Sequence, residues 1–331
     1  MPDLAPQLST AANADAACTV VLGTGGTIAG TGASAASPLD YRAAVLPVAQ
    51  LLASIPSMAG LPIRAEQLVQ IDSKDMSEAV WRSLATRCAE LLAQPQVRGI
   101  VVTHGTDTVE ETAFLLHRLL VADKPVVLTC AMRPATDLGA DGPQNLADAV
   151  AVANTPGAAG VLLVCAGRIH DPVHASKVHH YRLDAFDSGD AGPIGFVEDG
   201  RVRLVRPWRS AGAGGCGRPA LLEAAQWPWV EILTSHACAR GEAVQLLCAA
   251  GVAGIVVAGT GNGSLHMALE AALLRAQAQG IRVVRSSRCS AGRVLPGAAD
   301  SLPATPLSPV KARIALQLEL LAARADPGSA S

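Results

Sequence analysis

The chain has 331 residues, a formal net charge of −2, 50% hydrophobic residues and only 3% aromatic residues. At roughly 150 residues per domain this length predicts about two domains, and the near-neutral charge provides no basic surface that favours nucleic acid or an anionic membrane. The few aromatic residues and 31 glycines predict a core of Ala, Val, Leu and Ile, which is typical of parallel strands under alanine-rich helices. The composition excludes a disordered chain, a coiled coil and a collagen.

The first half of the chain alternates short β-branched runs with amphipathic stretches. The predicted strands are 19–22, 99–103, 125–128 and 160–164. A helix is predicted from Asp107 onward, because apolar residues then recur on one helical face and Glu110 and Glu111 lie in the first turn, where the helix dipole favours anions. This alternation predicts an α/β fold with a doubly wound, mostly parallel sheet.

A composition break follows near residue 200. Residues 201–220 hold several arginines and then a run of small residues, so we interpret them as an exposed linker. The elements predicted beyond it are strands 230–233, 254–258 and 281–284 and helices 265–279 and 309–323. The predicted division is an N-terminal tail at 1–18, a larger N-terminal α/β domain at 19–200, the linker, and a smaller C-terminal α/β domain at 221–331.

The eight cysteines are spread along the chain, and no two have the CxxC spacing typical of a zinc ribbon or a thioredoxin site. Most lie in or beside apolar runs, so we interpret them as buried free thiols in a reducing compartment. Residues 1–17 contain no Lys or Arg and do not resemble a signal peptide, and no uncharged apolar stretch is long enough to span a membrane. We therefore expect a cytoplasmic protein that contacts no membrane.

Two threonine- and glycine-rich turns each follow a predicted strand. The first, residues 23–30, is Gly-Thr-Gly-Gly-Thr-Ile-Ala-Gly. Ile28 stands where a dinucleotide-binding fingerprint has its third glycine, and no Gly-Lys-Ser/Thr follows, so neither that fingerprint nor a P-loop is present. What remains is a threonine hydroxyl at the carboxyl end of a parallel strand, where open α/β sheets bind their ligands.

The second turn has the sequence Thr-His-Gly-Thr-Asp-Thr-Val-Glu-Glu-Thr and begins with the last residue of a predicted strand. Thr106, Asp107 and the next threonine compete for the N-cap of the following helix, so capping alone is one interpretation. Two threonine-rich strand ends in one sheet are more than capping requires, but a hydroxyl is a weak nucleophile that needs a base. The candidate bases are Tyr41, in a segment that we interpret as a mobile lid, and Lys177, although a lone lysine is more often a solvated surface charge.

Five further motifs accompany the two turns. They are Ile71-Asp72-Ser73-Lys74-Asp75-Met76, Ala131-Met132-Arg133-Pro134, Asp141-Gly142-Pro143-Gln144-Asn145-Leu146, Gly259-Thr260-Gly261-Asn262-Gly263-Ser264 and Arg285-Ser286-Ser287-Arg288. Together with the turns, they resemble the bacterial-type L-asparaginase/glutaminase family from about residue 19 to 323. The resemblance implies hydrolysis of the side-chain amide of L-asparagine to L-aspartate and ammonia, with glutamine as a weaker substrate.

The resemblance also assigns roles to single residues. Thr27 is implied to be the acyl-accepting nucleophile, and Tyr41 helps to activate it. Thr106, Asp107 and Lys177 are implied to form a second triad that activates a hydroxyl or water. An amino-acid zwitterion needs hydrogen-bond donors for its carboxylate and an anion for its ammonium group, and two hydroxyls facing one amide suit attack and deacylation.

The substrate contacts follow from the same resemblance, with Ser73 holding the α-carboxylate and Asp107 the α-ammonium group. The implied binding set is Gly26, Asp72, Ser73, Gly105, Thr106, Asp107, Ala131 and Ser264. The family assembles as a homotetramer, a dimer of dimers, in which the residue matching Ser264 completes the site of a neighbouring subunit. Neither a cofactor nor a metal is expected, since four histidines between 170 and 180 lack a positioned acidic partner and Pro172 argues against a shared helix face.

Two departures from the family pattern concern substrate selectivity. Family members commonly have glutamine or glutamate at the position of Lys74, whose ammonium group would repel that of the substrate, so we expect it to point elsewhere. Many members also have a glutamate some ten residues after the Arg-Ser-Ser-Arg run, supplied to the neighbouring subunit. Here residues 289–318 contain no glutamate, and Asp300 is the only acid.

Three alternatives remain on the same kind of fold. The amidase subunit of a tRNA-dependent amidotransferase needs a tRNA-binding surface, which the negative net charge disfavours. A non-enzymatic amino-acid-binding module needs the glycine-rich turns but not Thr27, Thr106, Asp107 and Lys177 together. A nicotinamide dehydrogenase needs the third glycine that this chain lacks.

Overall fold

The computed structural model describes residues 17–32, 41–208, 226–298 and 300–325. The strands of the N-terminal domain are β1 (Cys18–Gly25), β2 (Thr31–Gly32), β3 (Tyr41–Arg42), β4 (Ile63–Ile71), β5 (Val97–Thr103), β6 (Pro125–Thr129), β7 (Gly160–Cys165), β8 (Arg168–His170), β9 (Ser176–Lys177), β10 (Phe186–Asp187), β11 (Gly195–Glu198) and β12 (Arg201–Leu204). Its helices are α1 (Val48–Ala53), α2 (Glu78–Leu92), α3 (Val109–Leu119) and α4 (Gly142–Ala153). The C-terminal elements are β13 (Val230–Thr234), α5 (Glu242–Ala249), β14 (Gly254–Gly259), α6 (Met267–Ala278), β15 (Arg282–Ser287) and α7 (Pro309–Ala325).

In the described part of the N-terminal domain, one eight-stranded sheet has the order β12-β11-β8-β7-β6-β5-β1-β4. The five adjacent strands β4, β1, β5, β6 and β7 are parallel to one another. Strands β8, β11 and β12 extend the sheet beyond β7, each antiparallel to its neighbour. The register pairs Gly23 with Thr103 and Thr103 with Thr129, so the carboxyl ends of β1, β5 and β6 lie side by side. The predicted fold, a large and mostly parallel sheet domain with a smaller α/β domain, is confirmed.

Helices cover both faces of this sheet because its strands are apolar on both sides. Leu22 packs in a cluster with residues of α2, α3 and α7, whereas its neighbour Val21 packs with residues of α1 and α4. Successive side chains of a strand point to opposite faces, so both stripes of β1 are buried. The predicted helical face of Val109, Ala113 and Leu116 is fully buried as well. Burial of a valine or leucine side chain contributes about 1.5–3 kcal/mol.

The last helix joins the two domains. The C-terminal domain is built on the parallel sheet β13-β14-β15, and α5 and α6 pack on one of its faces. Ala312 and Leu316 of α7 cover the other face, while Ile314, Leu318 and Leu321 enter the core of the N-terminal domain. Two apolar stripes at helical spacing explain why α7 is buried on two sides.

The interpretation of residues 201–220 as a linker is wrong at its start. Residues 201–204 form β12, which pairs with β11 at the edge of the large sheet. Val202 packs against the core, whereas the side chain of Arg203 lies over the Phe196 ring and donates hydrogen bonds to Glu198. This arginine-rich run is therefore an exposed edge strand whose side chains alternate between core and solvent. The remainder of the predicted linker from residue 209 and the predicted tail up to residue 16 lie outside the described residues.

The cysteine interpretation holds for only part of the set. Cys88, Cys130 and Cys165 are buried, and the seven cysteines of the described ranges are free thiols. Cys238 and Cys289 are exposed, because they lie in loops of the C-terminal domain rather than in its strands, and the prediction is wrong for these two. Across the described ranges, no helix combines the length and apolarity that crossing a membrane requires.

Candidate active site

The two threonine- and glycine-rich turns meet at the carboxyl edge of the large sheet. The Thr24 hydroxyl donates to the carbonyl of Thr103 at 2.8 Å, which ties the end of β1 to the end of β5. Gly26 has a φ of 80°, and a Cβ there would collide with the backbone of His104 and Gly105. Glycine is required at position 26 for both reasons, and its absent side chain lets the two turns form one site.

Thr27 lies in a buried 3₁₀ turn, Thr27–Ala29, directly after β1. Its Oγ1 lies 2.8 Å from the Tyr41 hydroxyl, and either oxygen can be the donor. Tyr41 reaches this position in β3, which pairs with β2 through Gly32. The structure therefore brings the first predicted nucleophile and its predicted partner together, while residues 33–40 of the predicted lid lie outside the described residues.

Thr106, Asp107 and Lys177 form a second hydrogen-bonded group. Lys177 Nζ donates to Thr106 Oγ1 at 2.8 Å and to Asp107 Oδ1 at 2.6 Å. The Lys177 side chain is 18% exposed, so its interpretation as a solvated surface charge is wrong. Capping does not explain the second turn either, because Thr108 precedes α3 without a side-chain capping bond and its hydroxyl donates to the Ser73 carbonyl at 2.7 Å.

Ser73 lies against the second turn. It is buried in a short 3₁₀ turn after β4, and its hydroxyl is so close to Gly105 that a Cβ at that glycine would collide with it. The neighbouring Asp72 accepts a hydrogen bond from Lys74 Nζ at 2.7 Å, and Lys74 also pairs with Asp75 at 3.3 Å. These two carboxylates, Asp72 first, raise the pKa of Lys74 and balance its charge. The expectation that Lys74 points away from the substrate stays a prediction.

The Asp-Gly-Pro-Gln-Asn motif at the start of α4 holds the turn that contains Ala131. The carboxylate of Asp141 accepts the backbone N–H groups of Met132 and Arg133, each at 3.0 Å, and Asn145 donates to the carbonyl of Cys130 at 2.9 Å. Ala131 itself is buried. A carboxylate and an amide placed on one helical turn therefore fix the loop after β6, beside the end of β5.

Ser264 and Asp300 belong to the C-terminal domain. Ser264 lies in the loop after β14 and exchanges backbone hydrogen bonds with Thr260. Asp300 forms an ion pair with Arg285 and accepts the backbone N–H of Gly297 at 2.7 Å. Within the described part of this chain, no hydrogen bond links Ser264 or Asp300 to either threonine group. The other predicted site residues of the N-terminal domain lie at or beside the joined turns.

Two family models together match most of this chain. The model described as Asparaginase, N-terminal matches residues 19–209, and the model described as Glutaminase/Asparaginase C-terminal domain matches residues 229–328. This chain belongs to the asparaginase/glutaminase family. The protein is therefore an amidohydrolase, and the resemblance noted in its motifs is confirmed.

Relatives within the asparaginase/glutaminase family extend over nearly the whole chain. The glutaminase-asparaginase of Pseudomonas fluorescens biotype A is 38% identical over 314 residues, which cover 91% of this chain and 85% of that protein. L-asparaginase 2 of Bacillus subtilis (strain 168) is 38% identical over 307 residues, covering 91% and 81%. The crystal structure of the probable cytoplasmic L-asparaginase from Campylobacter jejuni superposes with a TM-score of 0.86 at 37% identity, covering 92% of this chain and 95% of that one.

A buried chain of hydrogen bonds supports the second turn of the candidate site, and the sequence reasoning missed it. Trp81 Nε1 donates to Thr112 Oγ1 at 2.8 Å, Thr112 lies 2.9 Å from His104 Nε2, and His104 Nδ1 lies 2.8 Å from the Gly105 carbonyl. A carbonyl only accepts, so Nδ1 carries the proton and Nε2 accepts the Thr112 hydroxyl. The neutral imidazole thereby holds the peptide that precedes Thr106. His104 and Thr112 stand in the motif itself, eight residues apart, but nothing in their spacing indicates this bond.

His104 makes the stability of the site depend on pH. Burial lowers the pKa of this imidazole to about 4, and the hydrogen bond to Gly105 opposes that shift. Between about pH 6.5 and 4 the unfolded chain binds a proton that the folded chain does not, so acidification through this range removes about 3 kcal/mol of stability. Urea unfolding at pH 7 and pH 4 measures the free energy of unfolding, which is expected to fall less in His104→Gln than in the unsubstituted protein. An equal fall in the two proteins contradicts this expectation.

Proposed function

We propose that this protein hydrolyses the side-chain amide of L-asparagine to L-aspartate and ammonia through an acyl-enzyme on Thr27. One observation carries the proposal: two threonine hydroxyls at one sheet edge, each within 2.8 Å of a group able to exchange a proton with it. Membership of the asparaginase/glutaminase family supports amide hydrolysis as the reaction.

The first half-reaction forms the ester. Thr27 Oγ1 attacks the amide carbon while its proton passes to the Tyr41 hydroxyl, 2.8 Å away, and then to the departing nitrogen. The new carbon–oxygen bond replaces the carbon–nitrogen bond, and ammonia leaves. Backbone N–H groups of the glycine-rich turns stabilise the negative oxygen of the tetrahedral intermediate, because such preorganised donors need no reorientation.

The second half-reaction returns the enzyme to its starting state. Water attacks the ester carbon and releases Thr27 with its proton restored. Thr106 accepts a proton from that water as it passes its own to Lys177, whose proton moves to Asp107 at 2.6 Å, and the same relay then runs in reverse to protonate the leaving Thr27 oxygen. L-Aspartate is the second product.

Recognition of the amino-acid zwitterion uses the groups between the two turns. The Ser73 hydroxyl, buried beside Gly105, serves as the donor for the α-carboxylate. Asp107 attracts the α-ammonium group, and its side chain remains 54% exposed although Lys177 occupies one oxygen. Gly26, Asp72 and Ala131 complete the wall of the site.

We also propose a homotetramer, a dimer of dimers, in which Ser264 faces the site of a neighbouring subunit. The C-terminal domain supports a subunit interface because Leu246, Met267 and Leu295 are largely exposed there, and exposed apolar side chains favour protein contacts. A cytoplasmic location is our proposal for the compartment. The free cysteines of the described ranges support it, as does the similarity to the probable cytoplasmic L-asparaginase from Campylobacter jejuni.

Ammonia release tests the proposed substrate. With no glutamate in residues 289–318, we expect kcat/KM for L-asparagine to exceed that for L-glutamine. The extra methylene of glutamine moves its amide away from the two hydroxyls, and a displacement of about 1 Å can lower the rate roughly a hundredfold. The D-forms of both amino acids serve as stereochemical controls. Equal specificity constants for asparagine and glutamine would refute the expected preference, and no ammonia from either would refute the proposed reaction.

A further inference from the structure

Lys311 of α7 is a buried charge far along the chain from the site. It is 1% exposed, and its Nζ donates to the carbonyls of Val173, at 3.2 Å, and Ala175. The third group facing the ammonium is the carboxylate of Glu110, at 3.8 Å from Oε2. An ammonium has three N–H donors and is unfavourable in the interior unless acceptors surround it, so this arrangement satisfies the buried charge.

Glu110 connects this buried lysine to the lysine of the second triad. Its Oε1 accepts the backbone N–H of Lys177 at 3.2 Å, while its Oε2 faces Lys311. The two carbonyls held by Lys311 belong to the residues two and four positions before Lys177. The pair of Lys311 and Glu110 therefore holds the segment leading to Lys177 at three backbone groups.

The same pair also holds the other half of the triad. Glu110 lies in the first turn of α3, three residues after Asp107 and four after Thr106, the two residues that the Lys177 ammonium bonds. Displacement of residues 173–177 relative to this turn changes both of those distances. Burial lowers the pKa of Lys311, and Glu110 and Asp171 oppose that shift, so the carboxylates help to keep the group charged.

We propose that Lys311 is a positioning residue for catalysis: through the Val173 and Ala175 carbonyls and through Glu110, it sets the place of Lys177 against Thr106 and Asp107. This inference rests on the proposed function, in which Lys177 takes part in proton transfer. Through Lys311, the C-terminal helix α7 thus helps to hold the candidate site of the N-terminal domain in place. Lys311 touches no reacting atom.

Steady-state kinetics with asparagine test the proposal, with the concentration of folded protein measured in each sample. Lys311→Met is expected to lower kcat about tenfold or more with little change in KM, because misplacement of a catalytic group slows the chemical step. Lys124→Met is the matched control, since Lys124 Nζ also donates to two carbonyls, those of Leu92 and Gln94, away from the site. The control is expected to keep its kcat. An unchanged kcat per folded molecule in Lys311→Met overturns the proposal.

A second set of variants keeps the proposal testable if Lys311→Met does not fold. Glu110→Gln retains an oxygen that accepts the Lys177 N–H, whereas Glu110→Ala does not, so kcat is expected to fall more in the alanine variant. Equal kcat values in these two variants count against the proposal. Where Lys311→Met does fold, adding it to Lys177→Met is expected to have almost no further effect on kcat, and an effect as large as in the unsubstituted background overturns the proposal. If Lys177→Met alone keeps normal turnover, the proposed triad fails; loss in Lys177→Met with normal kcat in Lys311→Met refutes only the positioning role.

Discussion

Thr27→Ala is expected to lower kcat for asparagine roughly 10⁴-fold or more, because removing a nucleophile removes the covalent route altogether. Folding should be nearly unaffected. The substitution deletes one hydroxyl and its bond to Tyr41, and such a bond contributes only about 0.5–1.5 kcal/mol. Steady-state ammonia release, together with a thermal unfolding curve for the same sample, measures both quantities.

Two further variants test whether the loss of activity is due to the hydroxyl of Thr27 itself. Thr155→Ala removes a similar hydroxyl, bonded to the Ala151 carbonyl at the end of α4, and should keep full turnover. Thr27→Ser retains a hydroxyl and should retain part of the activity. A Thr27→Ala protein that keeps even about a tenth of the turnover would show that Thr27 is not the nucleophile.

Lys177→Met is expected to lower kcat about 10²–10⁴-fold, the usual contribution of a positioned proton-transfer group. Methionine keeps an unbranched, apolar side chain that can occupy the same space, but it removes the ammonium that bonds Thr106 and Asp107. Circular dichroism and light scattering should show the same fold and mass as in the unsubstituted protein. The measurement is kcat under saturating asparagine.

Lys177→Arg separates the charge of this residue from its proton transfer. Arginine remains charged but does not release its proton at any ordinary pH, so it should not restore the rate. Lys124→Met provides the control for loss of a lysine elsewhere. Near-normal turnover in Lys177→Met would leave only the pair of Thr27 and Tyr41 in the mechanism.

Local pattern was sufficient to predict most of the fold. The β-branched run at 99–103 and the apolar face that begins at Val109 became β5 and α3, because both depend on near neighbours in the chain. The prediction of a linker fails at its arginine-rich start because an exposed edge strand and a polar loop have similar composition. Only the pairing of β12 with β11 distinguishes them, and pairing is a property of the folded sheet.

The site was predictable where its residues stand in motifs, and not where it depends on distant contacts. Thr27 and Thr106 follow strands that lie side by side in the sheet, so their approach could be expected from parallel topology. The bond between Thr106 and Lys177 joins residues 71 positions apart, and Lys311 is 136 positions from the Ala175 carbonyl it bonds. Glu110 shows the limit most clearly: its place in the first helical turn indicated a dipole effect, but its bond to Lys177 depends on how β9 approaches α3.

The acyl-enzyme on Thr27 is tested most directly by rapid acid quenching during turnover of asparagine, followed by peptide mass spectrometry. The proposed mechanism predicts an aspartyl ester on the peptide that contains Thr27, formed within one turnover and absent from Thr27→Ala. The second triad releases this ester, so the adduct should persist longer in Lys177→Met. An ester found on Thr106 instead, or rapid ammonia release with no adduct at any quench time, would contradict the mechanism.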